Sequence, residues 1–215
     1  MPIAFILLIL MLPFLLLMLF FNVATISFSR LGLSPAGALL FLTASVLGSL
    51  INIPLSRRRV VVQEHQVFPF PLLFFYYPPV VREQVICFNV GGAGLPVLFS
   101  LYLLLTGRAP LLPSFLALII VTVVAKLMSR PQPGVGIVMP AFIPPLVAAA
   151  AALLLAPSGQ TAPVAYVAGT MGTLVGADLL NWRSIQELGA QMVSIGGAGV
   201  FDGIFLVGII AAFLG

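Results

Sequence analysis

The chain has 215 residues, of which 61% are apolar and 7% charged, against roughly 25% charged in ordinary globular domains. Nine basic and five acidic residues cannot clothe a soluble protein of this size, so lipid must solvate it. The net charge of +4 then speaks to orientation and anionic headgroups, not to nucleic acid. One cysteine, Cys87, excludes an intramolecular disulfide and a multi-cysteine metal site.

The expected class is an all-α polytopic membrane protein, residues 1–215 forming one transmembrane domain. About seven spans of about 20 residues would leave about 75 residues for loops. Met1 to Phe21 is almost continuously apolar and lacks a basic n-region, so it reads as a retained first helix running to about Ser29. The second helix is expected over Pro35–Ile53. The loop 57–88 follows, with β-branched runs at Val60-Val61-Val62 and Val80-Val81 on either side of a proline-broken aromatic stretch, Phe68 to Pro79. Those runs predict a cytoplasmic β-hairpin pairing Val60–Val67 with Val80–Phe88. Its free edge could accept an extended peptide.

Further helices are expected over Leu95–Leu105 (a turn or two earlier at most), Leu111–Met128, Gly136–Ala156 and Ala162–Leu180. Residues 184–195 read as an amphipathic interfacial helix, with Ile185, Leu188, Met192 and Ile195 on one stripe. Gly196 and Gly197 then serve as a hinge into a last helix, Ala198–Leu214. With the N-terminus inside, the cytoplasmic segments hold Arg57, Arg58, Arg59, Arg82, Lys126, Arg130 and Arg183, and the outer loops hold Arg30 and Arg108. This bias predicts a multi-pass protein of the cytoplasmic membrane with its C-terminus outside.

A short string occurs twice: Val90-Gly91-Gly92-Ala93-Gly94 and Ile195-Gly196-Gly197-Ala198-Gly199. Both copies precede a span entering from the cytoplasm, so a duplication would be parallel. Each string also reads simply as a glycine hinge before a helix.

Elimination narrows the chemistry. The one histidine, His65, lies in a polar loop beside Glu64, so neither a zinc-protease helix nor a Ser-His hydrolase within the bilayer is available. Lys126, near Arg130 at a helix end, reads as an orientation anchor that snorkels. Cys87 has no histidine partner and reads as an inert buried thiol. There is no P-loop and no GxGxxG motif. What remains are the two aspartates, Asp178 and Asp202, and an acid in an apolar span is a functional candidate by default. Each is expected about one turn inside the cytoplasmic face, on sequential antiparallel helices. Two carboxyls sharing a dry site cannot both ionise easily, so the pair could act as general acid and base on a water.

Prolines 131, 133, 140, 144 and 145 disrupt the start of the fifth helix at the same face, and freed backbone groups at that depth belong in protein or beside a wet cavity. One feature opposes a dyad. At 100° per residue Asp178 lies about 160–180° from Gly169 and Gly176, so if that glycine stripe packs on the last helix, Asp178 faces elsewhere.

Two aspartates on neighbouring helices, flanked by glycines, with a Pro-Ala break on another helix, resemble the presenilin and signal-peptide-peptidase class of intramembrane aspartyl proteases. Prepilin peptidases share the two-aspartate idea. Under that resemblance Phe201-Asp202 echoes Tyr-Asp, Gly176-Ala177-Asp178 echoes Gly-x-Gly-Asp, and Pro140-Ala141-Phe142 echoes Pro-Ala-Leu as substrate-binding residues. The order is permuted, and seven spans stand for nine. The whole sequence is also similar in style to a prokaryotic family of polytopic membrane proteins with no assigned function.

Three functions follow as expectations. The first is an aspartyl protease cutting membrane-embedded or juxtamembrane peptides near the cytoplasmic face. The second is a transporter or channel whose aspartates bind protons or cations. The third is a structural subunit in which the aspartates cap helix ends. No cofactor and no metal are expected. The expected partners are the lipid bilayer and a single-span membrane protein as substrate, without nucleic acid; oligomeric state stays open.

Overall fold

A computed structural model describes residues 2–62, 80–132, 136–187, 192–197 and 203–215. In chain order it contains α1 (Pro2–Arg30), α2 (Pro35–Gly48), β1 (Asn52–Val62), β2 (Val80–Asn89), α3 (Leu95–Leu105), α4 (Leu111–Met128), β3 (Arg130–Gln132), β4 (Gly136–Val138), α5 (Ile143–Leu155), α6 (Thr161–Thr173), α7 (Trp182–Glu187), β5 (Met192–Ile195) and α8 (Gly203–Leu214). A π-helical turn, Val90–Gly94, leads into α3. The protein is mostly helical, with a small sheet at one end.

Helix α6 is the hub. Its residues from Ala162 to Thr170 are all buried, the mark of a helix enclosed on every side. On one flank Phe28, Leu42, Phe99, Leu103, Tyr166 and Ile209 form an apolar core, with Phe28, Phe99 and Tyr166 in edge-on and tilted ring contacts of 5.3–6.4 Å, favourable aromatic geometry. On the other flank the core is built of small residues, Ala117, Ala148, Ala152, Ala165, Ala168 and Ala211 among them. Small side chains let helix backbones approach closely where lipid supplies no hydrophobic drive. At the end away from the sheet, Arg30 Nη1 donates to Phe213 O (2.8 Å) and Arg108 Nη1 to Leu31 O (3.0 Å). The first carbonyl lies in the last turn of α8 and the second just past the end of α1, where backbone oxygens have no helical partner.

Among the described residues three helices are long and apolar enough to cross a membrane: Leu10–Arg30, Leu111–Met128 and the stretch Thr161–Gln186. Pro35–Gly48, Val90–Leu105 and Ile143–Leu155 are shorter apolar helices. At 1.5 Å per residue a 13-residue helix covers about 20 Å, less than a hydrocarbon core of about 30 Å.

Two expected helices are shorter than the sequence suggested, for local reasons. The second stops at Gly48 rather than Ile53, because β1 begins at Asn52 and draws the chain into a sheet. The fifth starts at Ile143 rather than Gly136. Residues Gly136–Val138 pair instead with Arg130–Gln132 as a two-stranded ribbon, and the helix starts only where Pro144 and Pro145 fall in its first turn, where their missing N–H groups cost nothing.

The hairpin is larger than expected. β1 pairs antiparallel with β2 from Asn52↔Asn89 to Val62↔Val80, with a bulge between Pro54 and Ser56. The first strand thus starts eight residues before Val60; residues 63–67 lie outside the described residues. Pro54 is accommodated because it sits beside a bulge on an edge strand. A third strand replaces the expected interfacial helix. Of residues 184–195, the first few belong to α7, but Met192–Ile195 is β5, parallel to β2 in the register Val85↔Met192 to Phe88↔Ile195. The strand order is β1-β2-β5. The sheet packs on the helices through Ile86, Ala93, Leu174, Ile185 and Ile195.

Candidate functional site

The two glycine strings meet in space. β2 runs into Val90–Gly94 and β5 runs into Gly196-Gly197, and the two strands are parallel neighbours. Each unit reads strand, Gly-Gly, helix, as a parallel duplication would. Gly196 adopts φ +69°, a conformation costly for any residue with a Cβ. A Cβ there would also overlap Ala93 of the other string. Gly196 is buried, so the expected hinge glycines form a packed turn against the first string.

Asp178 reaches this turn because α6 does not continue as a regular helix. After Thr173 the chain makes a π turn, Leu174–Asp178, then a 3-10 turn, Leu179–Asn181. Wider turns advance by less than 100° per residue, which rotates Asp178 away from where a regular helix would aim it. The glycine stripe also splits. Gly169 lies against Val207 and Ala211 of α8, whereas Gly172 and Gly176 lie against Val121, Thr122 and Ala125 of α4. The stripe therefore does not pack as a whole on the last helix. Half-buried, Asp178 accepts the Gly196 amide on Oδ2 at 3.1 Å, six residues before Asp202. Asp202 itself lies outside the described residues.

The break in α6 is held from α4. Lys126 Nζ donates to Leu180 O (2.9 Å) and to Asn181 Oδ1. Asn181 Nδ2 donates to Ala177 O (2.8 Å) and Ser129 Oγ (2.7 Å). Lys126 is therefore a clamp on carbonyls freed by the π and 3-10 turns, not only a snorkelling anchor. Sequence reasoning missed this role, although a Lys four residues from Arg130 and an Asn just past Asp178 were its visible parts. Replacing Lys126 by Met keeps the stem and removes the charged donor. A charged hydrogen bond contributes about 1.5–3 kcal/mol, so Lys126→Met should lower the midpoint of thermal unfolding in detergent by several degrees. An unchanged midpoint would show that the clamp holds nothing.

A second polar group lines the strand ends. Asn89 Nδ2 donates to Ser49 O (2.7 Å) and Asn52 Oδ1 (3.1 Å), its Oδ1 accepts Gly92 N (2.7 Å), and Ser194 Oγ donates to Asn52 Oδ1 (2.6 Å). Asn89 thereby caps the π turn before α3 and ties it to β1, while Ser194 of β5 joins the group through Asn52. Pro140, Ala141 and Phe142 form an exposed turn before α5. Ile137, three residues earlier, packs on the cluster containing Leu174 and Ile195, so this loop joins the same end of the molecule. No group of three or more His, Cys, Asp or Glu side chains suited to a metal occurs among the described residues.

Fold and site together define a helical protein with apolar helices fit for a membrane and a sheet-capped end carrying one half-buried acid. Residues 46–214 match the family described as Protein of unknown function (DUF1614), and the chain belongs to that family. The match takes in every candidate site residue. No curated protein and no solved structure matches the chain.

Proposed function

We propose that the protein is an intramembrane aspartyl peptidase in which Asp178 and Asp202 share one water at the sheet-capped end. The observation that carries this reading is the Asp178 carboxyl turned onto Gly196, at the start of the short link to Asp202 and α8. The antiparallel register of α6 on α8 supports it. Ala165 lies by Gly215, Gly169 between Val207 and Ala211, and Thr170 by Gly208. That register ends at Gly203, the residue after Asp202, at a level about one helical turn from Asp178. One carboxyl, ionised, takes a proton from the water as it attacks the scissile carbonyl; the other, protonated, donates to the carbonyl oxygen.

The strand ending at Gly196 offers a place for the peptide. β5 is an edge of the sheet, and an extended peptide added to it would pass beside Asp178. The Pro140–Phe142 turn would flank the peptide. The reading takes the shorter apolar helices as further spans, about seven in all, with the sheet on the cytoplasmic side as the bias of basic residues requires. Incubating the purified protein with a panel of single-span peptides tests it. Wild type should cut at least one near its cytoplasmic end, and Asp178→Asn should not; no cleavage by wild type across the panel counts against the reading.

One observation favours a second reading, a proton- or cation-coupled transporter. Tyr166, Thr170 and Thr173 recur along the buried length of α6; Tyr166 and Thr170, one turn apart, are placed to bond to each other, and the Thr173 hydroxyl has no partner among the described residues. Unsatisfied polar groups in a membrane interior are costly and tend to mark a path for polar species. Under this reading Tyr166→Phe with Thr170→Val would alter proton or cation flux in proteoliposomes, and no peptide would be cut.

A further inference from the structure

The sheet-capped end has a second chemical character, independent of the aspartates. Among the described residues it gathers Arg57, Arg58, Arg59, Lys126, Arg130 and Arg183 against Asp178 and Glu83. The cations follow exposed apolar residues in three separate segments. Ile53 and Leu55 are 48% and 56% exposed and precede Arg57 on β1; Leu127 is 71% exposed and precedes Arg130; Leu180 is 54% exposed and precedes Arg183. Cross-links hold these segments at one end: Lys126 Nζ on Leu180 O, and Arg58 Nη1 on Gln186 Oε1 at 2.8 Å. A step from exposed apolar to exposed basic side chains, repeated on a strand and two helix ends, is the pattern of a surface crossing from acyl chains to headgroups.

The register of β1 sorts its three arginines. Arg58, itself exposed, pairs with buried Gln84 and bonds to Gln186 of α7, so it points to the α7 side of the strand. Arg57 and Arg59 alternate to the opposite face, about 7 Å apart along the strand. Glu83 stands across from Arg59. Two neighbouring guanidinium groups just beyond an exposed apolar stretch suit a phosphodiester, which each can bind in bidentate fashion.

We infer that Arg57 and Arg59 form a docking site for the headgroup phosphate of an anionic phospholipid, whose acyl chains lie along the exposed apolar side chains leading into them, Leu50, Ile51 and Leu55. The occupant is a lipid and not free phosphate, because an exposed apolar run leads directly into the cations along one stretch of chain. The inference does not depend on the peptidase reading and stands or falls apart from it.

Native mass spectrometry of the full chain, released from mixed phosphatidylglycerol and phosphatidylcholine nanodiscs, tests it. Wild type should retain phosphatidylglycerol in preference. Each arginine near an anionic surface contributes about fivefold, so Arg57→Gln with Arg59→Gln should cut that preference roughly 10- to 30-fold. Arg58→Gln, on the other face of the strand and already tied to Gln186, should leave most of it. A double lysine variant, Arg57→Lys with Arg59→Lys, keeps the charge and should retain part of the preference; it also reads out the site if the glutamine variant fails to fold. Equal retention in wild type and the double variants would overturn the inference. So would displacement of the lipid by inorganic phosphate at matched concentration, which would make this a phosphate site.

Discussion

Gly176→Ala should destabilise the protein more than any other single methyl added to α6 or to the π turn that ends it. A Cβ at Gly176 would overlap the Thr122 carbonyl oxygen and lie 2.8 Å from Ala125 Cβ and 3.1 Å from Lys126 N. Two of these three atoms belong to backbone, so no rotamer change relieves the clash. Either α4 and α6 part, or the π turn shifts. Overpacking of this kind costs about 1–3 kcal/mol, and here it falls beside the Lys126 clamp, so the loss should lie at the upper end. Gly94→Ala is the control. Its nearest contact would be Phe88 Cε1 at 3.4 Å, an ordinary packing distance, and alanine is the better helix former. Thermal unfolding of both variants in one detergent checks the pair. A midpoint for Gly176→Ala equal to wild type would show that the close approach of α4 and α6 does not set the break that aims Asp178.

Asp178→Asn and Asp202→Asn should each abolish peptide cleavage, and the double variant should be no worse than either. Residues that act as one unit lose function together and are far from additive. Asparagine keeps the shape and can still accept the Gly196 amide through its oxygen, so loss of cleavage in Asp178→Asn would reflect lost proton transfer and not a lost turn. Removal of one general acid–base group typically costs about 100- to 10,000-fold. A capping role predicts otherwise, because Asn is nearly as good an N-cap as Asp; Asp202→Asn would then leave the protein unchanged. A transporter predicts a third outcome, altered flux with no peptide cut by the wild type.

How far the fold was legible depended on whether a feature is local. Helices α3 and α4 announce themselves by apolar length, and their bounds came out where the sequence put them. The hairpin was legible from Val60-Val61-Val62 and Val80-Val81, but the early start of β1 was not. Asn52 to Arg59 contains Pro54 and three successive arginines and has no clean alternation, and it is a strand because β2 pairs with it. β5 was invisible for a related reason. Met192-Val193-Ser194-Ile195 fits a helical stripe as well as a strand, and short apolar runs are ambiguous in this way. Its partner, β2, lies over a hundred residues away in the chain.

The site shows the same division. Asp178 stood out because a carboxyl in an apolar run is expensive. Its direction did not, since arithmetic at 100° per residue assumes an unbroken α-helix. The π turn that redirects it arises from tertiary fit, with Gly176 pressed on α4 and Lys126 and Asn181 holding the freed carbonyls. The repeated Gly-Gly-Ala-Gly string was visible at once, and the parallel pairing of β2 with β5 brings the two copies together, Gly196 of the second packed on Ala93 of the first and bonded to Asp178.

The central claim is that Asp178 and Asp202 share a water. The most direct measurement is the carboxyl-to-carboxyl distance in an experimental structure of the full chain in a lipid nanodisc. A shared water requires both carboxyls within hydrogen-bonding reach of it, so the account predicts a separation of about 6 Å or less between facing oxygens. Carboxyls more than about 10 Å apart, with no helix movement able to close the gap on addition of peptide, would contradict it, because no single water could reach both.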